Sequence, residues 1–324
     1  MARQEAFPGS SSSIVNLSNA DTFIPELWSD EIVAAYKKNL ILANIVNQMS
    51  MVGKKGDTLH IPKPTRGTAV EKAANTAVQI QADLETEVQI SIDKHYEYSR
   101  MIEDIVDVQA LDSMRRFYTD DAGYALALQL DSDLFNLGMR FGDGTETDPA
   151  DPEHWEHSNA YYVNADAGIA AYADDTMEDT DVFTDLAFRE LIKLMDDADT
   201  PMDGRFLVIP PSARRDILGI ERYNSSDFVD GRSVNNGQIG TLYGVDIYVT
   251  SNVPTIEAAD AGTNVETKGA ILAHRDTMVL AEQMGVRTQT QYKQEYLADL
   301  MTADTLYGVQ VLRPETGFVL ALPG

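Results

Sequence analysis

The sequence predicts a mixed α+β fold that is built around one long helix and a projecting two-stranded arm. Apolar residues recur near helical spacing from Asp104 to Met139, and no proline interrupts them. In front of this stretch, residues 53–98 hold two strand patterns that flank a polar segment short of large apolar side chains. The C-terminal half alternates short apolar runs with turn residues. These patterns indicate helices and strands that are segregated along the chain.

The composition limits the classes of function that are open to the chain. Its 324 residues carry 52 acidic and 25 basic side chains, for a net charge of −27. Such a charge repels nucleic acid, which argues against a protein that reads DNA or RNA directly. Because cysteine is absent, disulfides and thiolate metal sites are excluded. No apolar run approaches the roughly 18 residues of a membrane-spanning helix, and the first residues lack the apolar core of a signal peptide.

The first part of the chain predicts an N-terminal arm and a first helix over residues 1–52. Residues 1 to about 22 are polar and include the serine run Ser10–Ser13, which is typical of an extended segment. Pro25 suits the first turn of a helix, and the apolar positions that follow it keep helical spacing to Leu40.

Residues 53–98 predict a long two-stranded arm. Thr58–Pro62 has the pattern of a strand that ends at proline, and Val88, Ile90 and Ile92 alternate with polar residues as in a half-buried strand. The polar segment between them has no core of its own, and an isolated hairpin is marginal in water. We therefore expect the arm to find support on another surface, most simply on a neighbouring subunit.

Charge divides the arm into two limbs. Residues 53–75 carry a net charge of +3, and residues 76–98 carry a net charge of −4. Two interpretations stay open: the basic limb lies over acidic surface on a neighbour, or the two limbs pair with each other, at a few tenths of a kcal/mol per exposed pair. The charged residues that are candidates for a subunit interface are Lys54, Lys55, Lys63, Arg66, Lys72, Asp83, Glu85 and Glu87.

The long helix is predicted to begin with Asp104 as its N-cap and to end near the glycines Gly138, Gly142 and Gly144. A helix of about 35 residues would be roughly 50 Å long, which exceeds what a compact domain needs. Gly123 marks a possible bend or close-packing point. The alternative is a kinked pair of ordinary helices.

Residues 142–181 differ in composition from the rest of the chain. From Asp143 to Asp199 there are 17 acidic and two basic side chains, and Pro149 and Pro152 indicate loops. A solvated acidic face explains this composition, because no spacing matches a defined calcium loop.

The C-terminal half predicts short elements. Phe183–Asp199 has the spacing of a helix, and Ser212 is a candidate cap for a short helix that runs to Leu218. Asp276–Ala281 is predicted as another short helix. Strand patterns occupy Phe206–Ile209, Val245–Val249, Gly269–Ala273, Val286–Gln294, Gly308–Leu312 and Gly317–Leu322.

No motif for catalysis or for cofactor binding is present, so no catalytic, cofactor or metal residue is predicted. The sequence lacks a phosphate loop, a complete dinucleotide fingerprint and a nucleophile elbow. His154 and His157 form the closest histidine pair, but the prolines beside them favour a loop over a metal site. His60 and His95 are expected to be paired surface or cross-strand residues, and Asp276 is expected to be a cap rather than a partner of His274 in catalysis.

Four segments of the C-terminal half resemble the major capsid proteins of tailed phages, which have the Hong Kong 97 phage fold. They are FLVIPPSARR at Phe206–Arg215, GQIGTLYGVDIYVTSNVP at Gly237–Pro254, KGAILAHRD at Lys268–Asp276 and YGVQVLRPE at Tyr307–Glu315. The resemblance extends over about residues 23 to 324 and is weakest in residues 142–181, which look like an insertion.

This resemblance implies a role for each part of the chain. The arms at residues 1–52 and 53–98 would reach over adjacent subunits. Residues 99–141 would form a peripheral domain with the long helix as its spine, and residues 142–285 would form an axial domain. Residues 286–324 would return to the peripheral domain as strands.

The resemblance also implies partners and a location. Identical subunits would form hexamers and pentamers of an icosahedral shell that encloses double-stranded DNA without sequence-specific contact. Because only about 50 residues precede the arm, we expect scaffolding to come from a separate protein. A portal protein and a decoration protein are further expected partners, and a membrane is not. The protein would be assembled in the host cytoplasm and would reside in the virion.

Two other functions stay open at this point. A bacterial encapsulin-type compartment shell shares the same fold but encloses a cargo enzyme. A soluble enzyme with a metal site near His154 and His157 is the third hypothesis.

Overall fold

The fold was analysed in a computed structural model of the full chain. The structure describes residues 40–63, 86–103, 113–141, 159–164, 166–171, 182–220, 240–257 and 266–323, together with single positions and short runs between 67 and 78. The predicted helix after Pro25, most of the acidic insertion and the pair His154 and His157 lie outside these residues.

The described residues contain four α-helices, one 3-10 helix (Pro314–Thr316) and fourteen strands. The helices are α1 (Leu42–Ile45), α2 (Ser113–Gly138), α3 (Asp185–Asp197) and α4 (Pro211–Gly219). The strands of the first half are β1 (Asn47–Ser50), β2 (Thr58–Lys63), β3 (Thr86–Ser91), β4 (Lys94–Glu103), β5 (Ala160–Asn164) and β6 (Gly168–Ala171). The strands of the second half are β7 (Arg205–Ile209), β8 (Thr241–Leu242), β9 (Val245–Val249), β10 (Thr255–Glu257), β11 (Glu266–His274), β12 (Met278–Lys293), β13 (Ala298–Val311) and β14 (Gly317–Pro323).

A four-stranded sheet in the order β1-β12-β13-β4 contains the longest strands. β12 and β13 form an antiparallel hairpin, and β1 pairs in parallel with the start of β12. This pairing corrects the short helix predicted for Asp276–Ala281. Arg275–Thr277 is a turn, closed by the hydrogen bond from Thr277 N–H to the His274 carbonyl at 2.9 Å. Met278 already pairs with Val311 on β13, so pairing with distant strands overrides the local helical pattern.

The predicted long helix is confirmed as α2, which is continuous over its 26 residues. It extends about 39 Å at 1.5 Å per residue. Among the described residues, and apart from the backbone of α2 itself, no atom lies within 4 Å of the position that a Cβ would take at Gly123, so no packing contact requires glycine there. The helix does not extend to Ile102, because Ile102 belongs to β4 and pairs with Asp299 on β13. The predicted cap Asp104 lies outside the described residues.

An eight-stranded sheet carries the C-terminal half and is covered on both faces. Seven of its strands follow the order β6-β5-β14-β11-β7-β9-β8, and β10 pairs with β11. Phe206 and Val208 of β7 pack in one core cluster with Leu134 and Phe135 of α2. The side chains on the opposite face are Leu207 and Ile209, which pack with Phe188 and Leu191 of α3 and Ile217 of α4. This two-sided burial explains why Phe206–Ile209, the part of β7 after Arg205, is a continuous apolar run.

Two details of the C-terminal half differ from the predictions. Ser212 is not the cap of α4: Pro210 occupies that position without a side-chain hydrogen bond, because Pro211 already begins the helix. β13 begins at Ala298 rather than at Gly308. The domain division stays a prediction, but β14 lies between β11 and β5 in the eight-stranded sheet, apart from β12 and β13.

Candidate interaction surface

The root of the arm lies on the four-stranded sheet. β2 and β3 pair antiparallel from Thr58 opposite Ser91 to Lys63 opposite Thr86, so the predicted pairing of the two limbs is confirmed. Ile90 is fully buried and packs with Val279 and Ala281 of β12. Because the apolar residues of β3 alternate, they lie on one face of the hairpin, and this face packs against β12.

Hydrogen bonds fix the backbone on both sides of this root. The Gln283 side-chain amide donates to the Lys54 carbonyl at 3.2 Å and to the Gly56 carbonyl at 2.8 Å. The Ile92 N–H donates to the Asp57 carbonyl at 2.8 Å. The outgoing and returning limbs are therefore tied to β12 and to each other at the point where the arm begins.

Beyond the root, the arm presents apolar side chains to solvent. Val70 is 54% exposed and Val78 is 72% exposed. Val52, just before the arm, is 62% exposed. Burial of an apolar side chain stabilises by about 1.5–3 kcal/mol. Within the described part of one subunit these valines stay exposed. The arm therefore carries apolar surface that a second molecule can cover.

The eight charged interface candidates do not form one cluster within the described residues. Lys54, Lys55 and Lys72 are exposed. Lys63 Nζ lies 3.6 Å from Glu315 Oε1 of the same chain, in a pair whose side chains are both half exposed. Such a pair contributes little to stability. Arg66, Asp83 and Glu85 lie outside the described residues.

Glu87 contacts a residue of the opposite limb. Its carboxylate accepts a hydrogen bond from Gln89 Nε2 at 2.6 Å and lies 3.2 Å from His60 Nδ1 on the opposite strand. The hydrogen bond from Gln89, and then the one from His60, lower the pKa of Glu87. His60 is thus a cross-strand residue, as predicted. The role of the eight candidates in an interface stays a prediction.

The sequence did not reveal a polar cluster on the exposed face of the four-stranded sheet. Asp304 Oδ1 accepts from Arg287 Nε at 2.7 Å, and Asp304 Oδ2 accepts from Arg287 Nη2 at 2.9 Å. His95 Nε2 lies 3.2 Å from Asp304 Oδ2, which confirms His95 as a cross-strand residue. The bidentate bond from Arg287 lowers the pKa of Asp304. These groups line a shallow depression of about 380 Å³ and satisfy one another, an arrangement that supports the sheet.

His274 is a buried structural histidine. Its Nε2 donates to the Asp203 carbonyl at 2.7 Å, and its Nδ1 accepts from the Asp276 N–H at 3.2 Å. Both ring nitrogens are therefore used by backbone groups. Asp276 takes part in the turn before β12 rather than in a helix cap, and its Oδ1 accepts from Asn47 Nδ2 at 3.2 Å.

Among the described residues, no group of three or more His, Cys, Asp or Glu side chains is arranged to hold a metal ion. No helix in the described parts of the chain has the length and apolarity that crossing a membrane requires.

Known proteins share both the sequence pattern and the fold. The family model described as "Phage capsid protein" matches residues 26–319. No curated protein sequence matches the chain significantly.

Solved structures with similar folds come from phage particles. The structure of "Mycobacterium phage Che8" is 24% identical with a TM-score of 0.68, over 92% of this chain and 97% of that chain. The "Capsid structure of the Cyanophage P-SCSP1u" is 17% identical with a TM-score of 0.70, over 98% and 100% of the two chains. The "Cyanophage Pam1 capsid asymmetric unit" is 11% identical with a TM-score of 0.73, over 99% of each chain.

Proposed function

We propose, from the premise that this chain belongs to the phage capsid protein family, that it is the major capsid protein of a tailed bacteriophage. Identical copies assemble into an icosahedral shell of hexamers and pentamers, which encloses double-stranded DNA. A capsid protein is a structural component of the virion. The predicted Hong Kong 97-like fold is confirmed by the similarity to the phage capsid structures.

The arm is the observation that carries the proposal for how the subunits join. Its root is anchored by Ile90, which is fully buried, while Val70 and Val78 farther along are mostly exposed. An anchored hairpin with uncovered apolar residues suits a segment that lies on an adjacent copy. Because every copy in a closed shell would bury these residues, a small gain in association free energy at each contact is repeated across the whole shell.

The overall charge supports the proposed relation to DNA. A net charge of −27 disfavours tight binding to the phosphate backbone. We infer that the packaged DNA is confined by the shell without sequence-specific contact. Partners such as a separate scaffolding protein, a portal protein and a decoration protein are proposed from the resemblance to the family, as is assembly in the host cytoplasm.

The two alternative functions have less support. The matching family model is that of a phage capsid rather than of a bacterial compartment shell. A structural role also explains why buried titratable groups such as His274 are satisfied by the backbone. We therefore infer that the chain is not an enzyme. Replacing His154 and His157 together by alanine is expected to leave particles normal, whereas a loss of all function would favour the metalloenzyme.

The register of the arm provides an experiment that tests the proposal. Because Lys63 pairs with Thr86, the dipeptide Asn-Gly can replace residues 64–85 and close the hairpin as a two-residue turn. We expect this shortened chain to fold with its root intact but to form no stable shells. Circular dichroism and thermal unfolding would check the fold, and sedimentation with electron microscopy would check assembly. Shell formation equal to that of the full chain would overturn the proposed role of the arm.

A further inference from the structure

The arm joins the four-stranded sheet at a crossing of two backbones. After β3 ends at Ser91, the chain passes through Ile92 and Asp93 and enters β4, the edge strand next to β13. Pairing of β4 with β13 begins at Lys94 opposite Tyr307. Gly308 is therefore the first residue of β13 beyond the paired edge, and the returning limb crosses β13 at this position.

Gly308 permits this crossing because it has no side chain. A Cβ at this position would overlap the Ser91 carbonyl oxygen and would lie 3.0 Å from the Ser91 carbonyl carbon and 3.2 Å from Ile92 Cα. All three atoms belong to the backbone, so no side-chain rotation can relieve the contact. A residue larger than glycine must displace the returning limb from the sheet.

Gln283, which lies on β12 next to β13, binds the outgoing limb of the arm through its side chain. The register of β12 against β13 shifts between Glu282 and Met284, so Gln283 is the extra residue of a bulge. A bulge redirects the side chain that it contains. The Gln283 amide here donates to the carbonyls of Lys54 and Gly56, at 3.2 and 2.8 Å.

We propose that Gly308 and Gln283 are positioning residues for assembly, which set the direction in which the arm leaves the sheet and so place its exposed residues on the adjacent copy. The inference rests on the proposed function, because it assumes that the arm contacts a neighbour. The two residues fix the two limbs of one hairpin, so a displacement at the root grows with distance along the arm.

The test compares two altered positions with one matched control. Gly308→Ala introduces the excluded Cβ, and Gln283→Glu replaces the donating amide by an oxygen that faces two carbonyl oxygens. Gly123→Ala is the control, because among the described residues, and apart from the backbone of α2 itself, no atom lies within 4 Å of the added Cβ. Each protein is expressed as the full chain under the conditions in which the unaltered chain forms shells. Closed shells are counted by sedimentation and sized by electron microscopy, and thermal unfolding is measured on the unassembled subunits.

We expect Gly308→Ala and Gln283→Glu to lower the yield of closed shells by about tenfold or more, since a misplaced arm weakens a contact repeated in every subunit. The remaining particles should be misshapen or wrongly sized, and the melting temperature of the Gln283→Glu subunit should stay close to that of the unaltered chain. Gly123→Ala should assemble normally. The misshapen particles distinguish a positioning role from a loss of stability.

Three results would overturn the inference. Normal yield and size of shells for both altered chains would show that the root does not position the arm. Failure of both altered subunits to fold would show that the residues serve stability alone. If the chain with Asn-Gly in place of residues 64–85 fails to assemble while both altered chains assemble normally, the positioning role is wrong and the proposed function stands. If the shortened chain assembles normally, the role proposed for the arm and the positioning role are both wrong, while the shells themselves still support a capsid function.

Discussion

The Asp131 carboxylate, in the third quarter of the long helix, accepts a hydrogen bond from the Leu42 backbone N–H at 2.9 Å across 89 positions of sequence. The same oxygen accepts from the Ile41 N–H at 3.3 Å, and the other oxygen accepts from Asn252 Nδ2 at 3.0 Å. Burial raises the pKa of Asp131, and the hydrogen bonds from Asn252 and Leu42 oppose that rise. One buried carboxylate thus joins the start of α1, the long helix and the loop after β9.

Replacing Asp131 by alanine is expected to destabilise the subunit. The change leaves the buried N–H groups of Leu42 and Ile41 without their acceptor, which costs about 1–3 kcal/mol. Asp131→Asn keeps one acceptor oxygen, and the Asn252 amide can turn to accept from the new NH₂ group, so its cost should stay within about 1 kcal/mol. Denaturant unfolding of unassembled subunits measures both values. Equal losses for the two variants would contradict this account.

Removing the hydroxyl group of Tyr307 is expected to weaken the contact between β13 and the long helix. Tyr307 Oη donates to the buried Asp133 Oδ2 at 2.9 Å, and Lys94 Nζ lies 3.2 Å from the same oxygen. Tyr307→Phe should lower the free energy of unfolding by about 1–2 kcal/mol, because hydrogen bonds to charged groups are the stronger ones. Tyr296→Phe is the matched control, since Tyr296 is 63% exposed. A similar loss for both variants would count against the assignment.

The ion pair of Arg287 and Asp304 is expected to add stability that depends on pH. The hydrogen bonds from Arg287 lower the pKa of Asp304 in the folded state. The contribution is therefore present above the unfolded carboxyl pKa of about 3.9 and is lost as the pH falls through the lower folded pKa. Arg287→Gln should be less stable than the unaltered chain at pH 7, and the difference should shrink in acid. A difference that stays constant from pH 7 to pH 2 would refute the assignment.

The exposed valines of the arm are expected to matter for assembly rather than for folding. Val70→Asp combined with Val78→Asp places charges where apolar contact with a neighbour is proposed. Val70→Ile with Val78→Ile keeps that contact and serves as the control. We expect the aspartate pair to abolish shell formation without changing the melting temperature of the subunit, because both valines are exposed there. Shells from the aspartate pair in normal yield would argue that the arm surface is not an interface.

Local sequence patterns predicted those helices and strands in which the apolar residues coincide with the buried positions. Phe206–Ile209 lies within β7, where burial on both faces favours apolar side chains. The alternation of Val88 and Ile90 predicted β3, and Phe183–Asp199 predicted α3, whose cap is Thr184. In each of these stretches the pattern of the sequence and the pattern of burial coincide.

Contacts between distant residues decided the elements that the sequence did not predict. The apolar run from Met278 to Ala281 is compatible with a helix or with a strand. It forms a strand because its backbone pairs with β1 and β13. At the candidate surface, the two strand patterns located the arm but not the contacts of its root. The crossing at Gly308 brings β13 into contact with Ser91 at the end of β3. These two residues are more than 200 positions apart in the sequence. No local spacing of residues encodes such a crossing.

The decisive measurement is electron microscopy of particles formed by the full chain. We expect closed icosahedral shells in which residues 64–85 of each subunit lie across an adjacent copy. Isolated subunits under the same conditions, or shells in which the arm folds back onto its own body, would contradict this expectation.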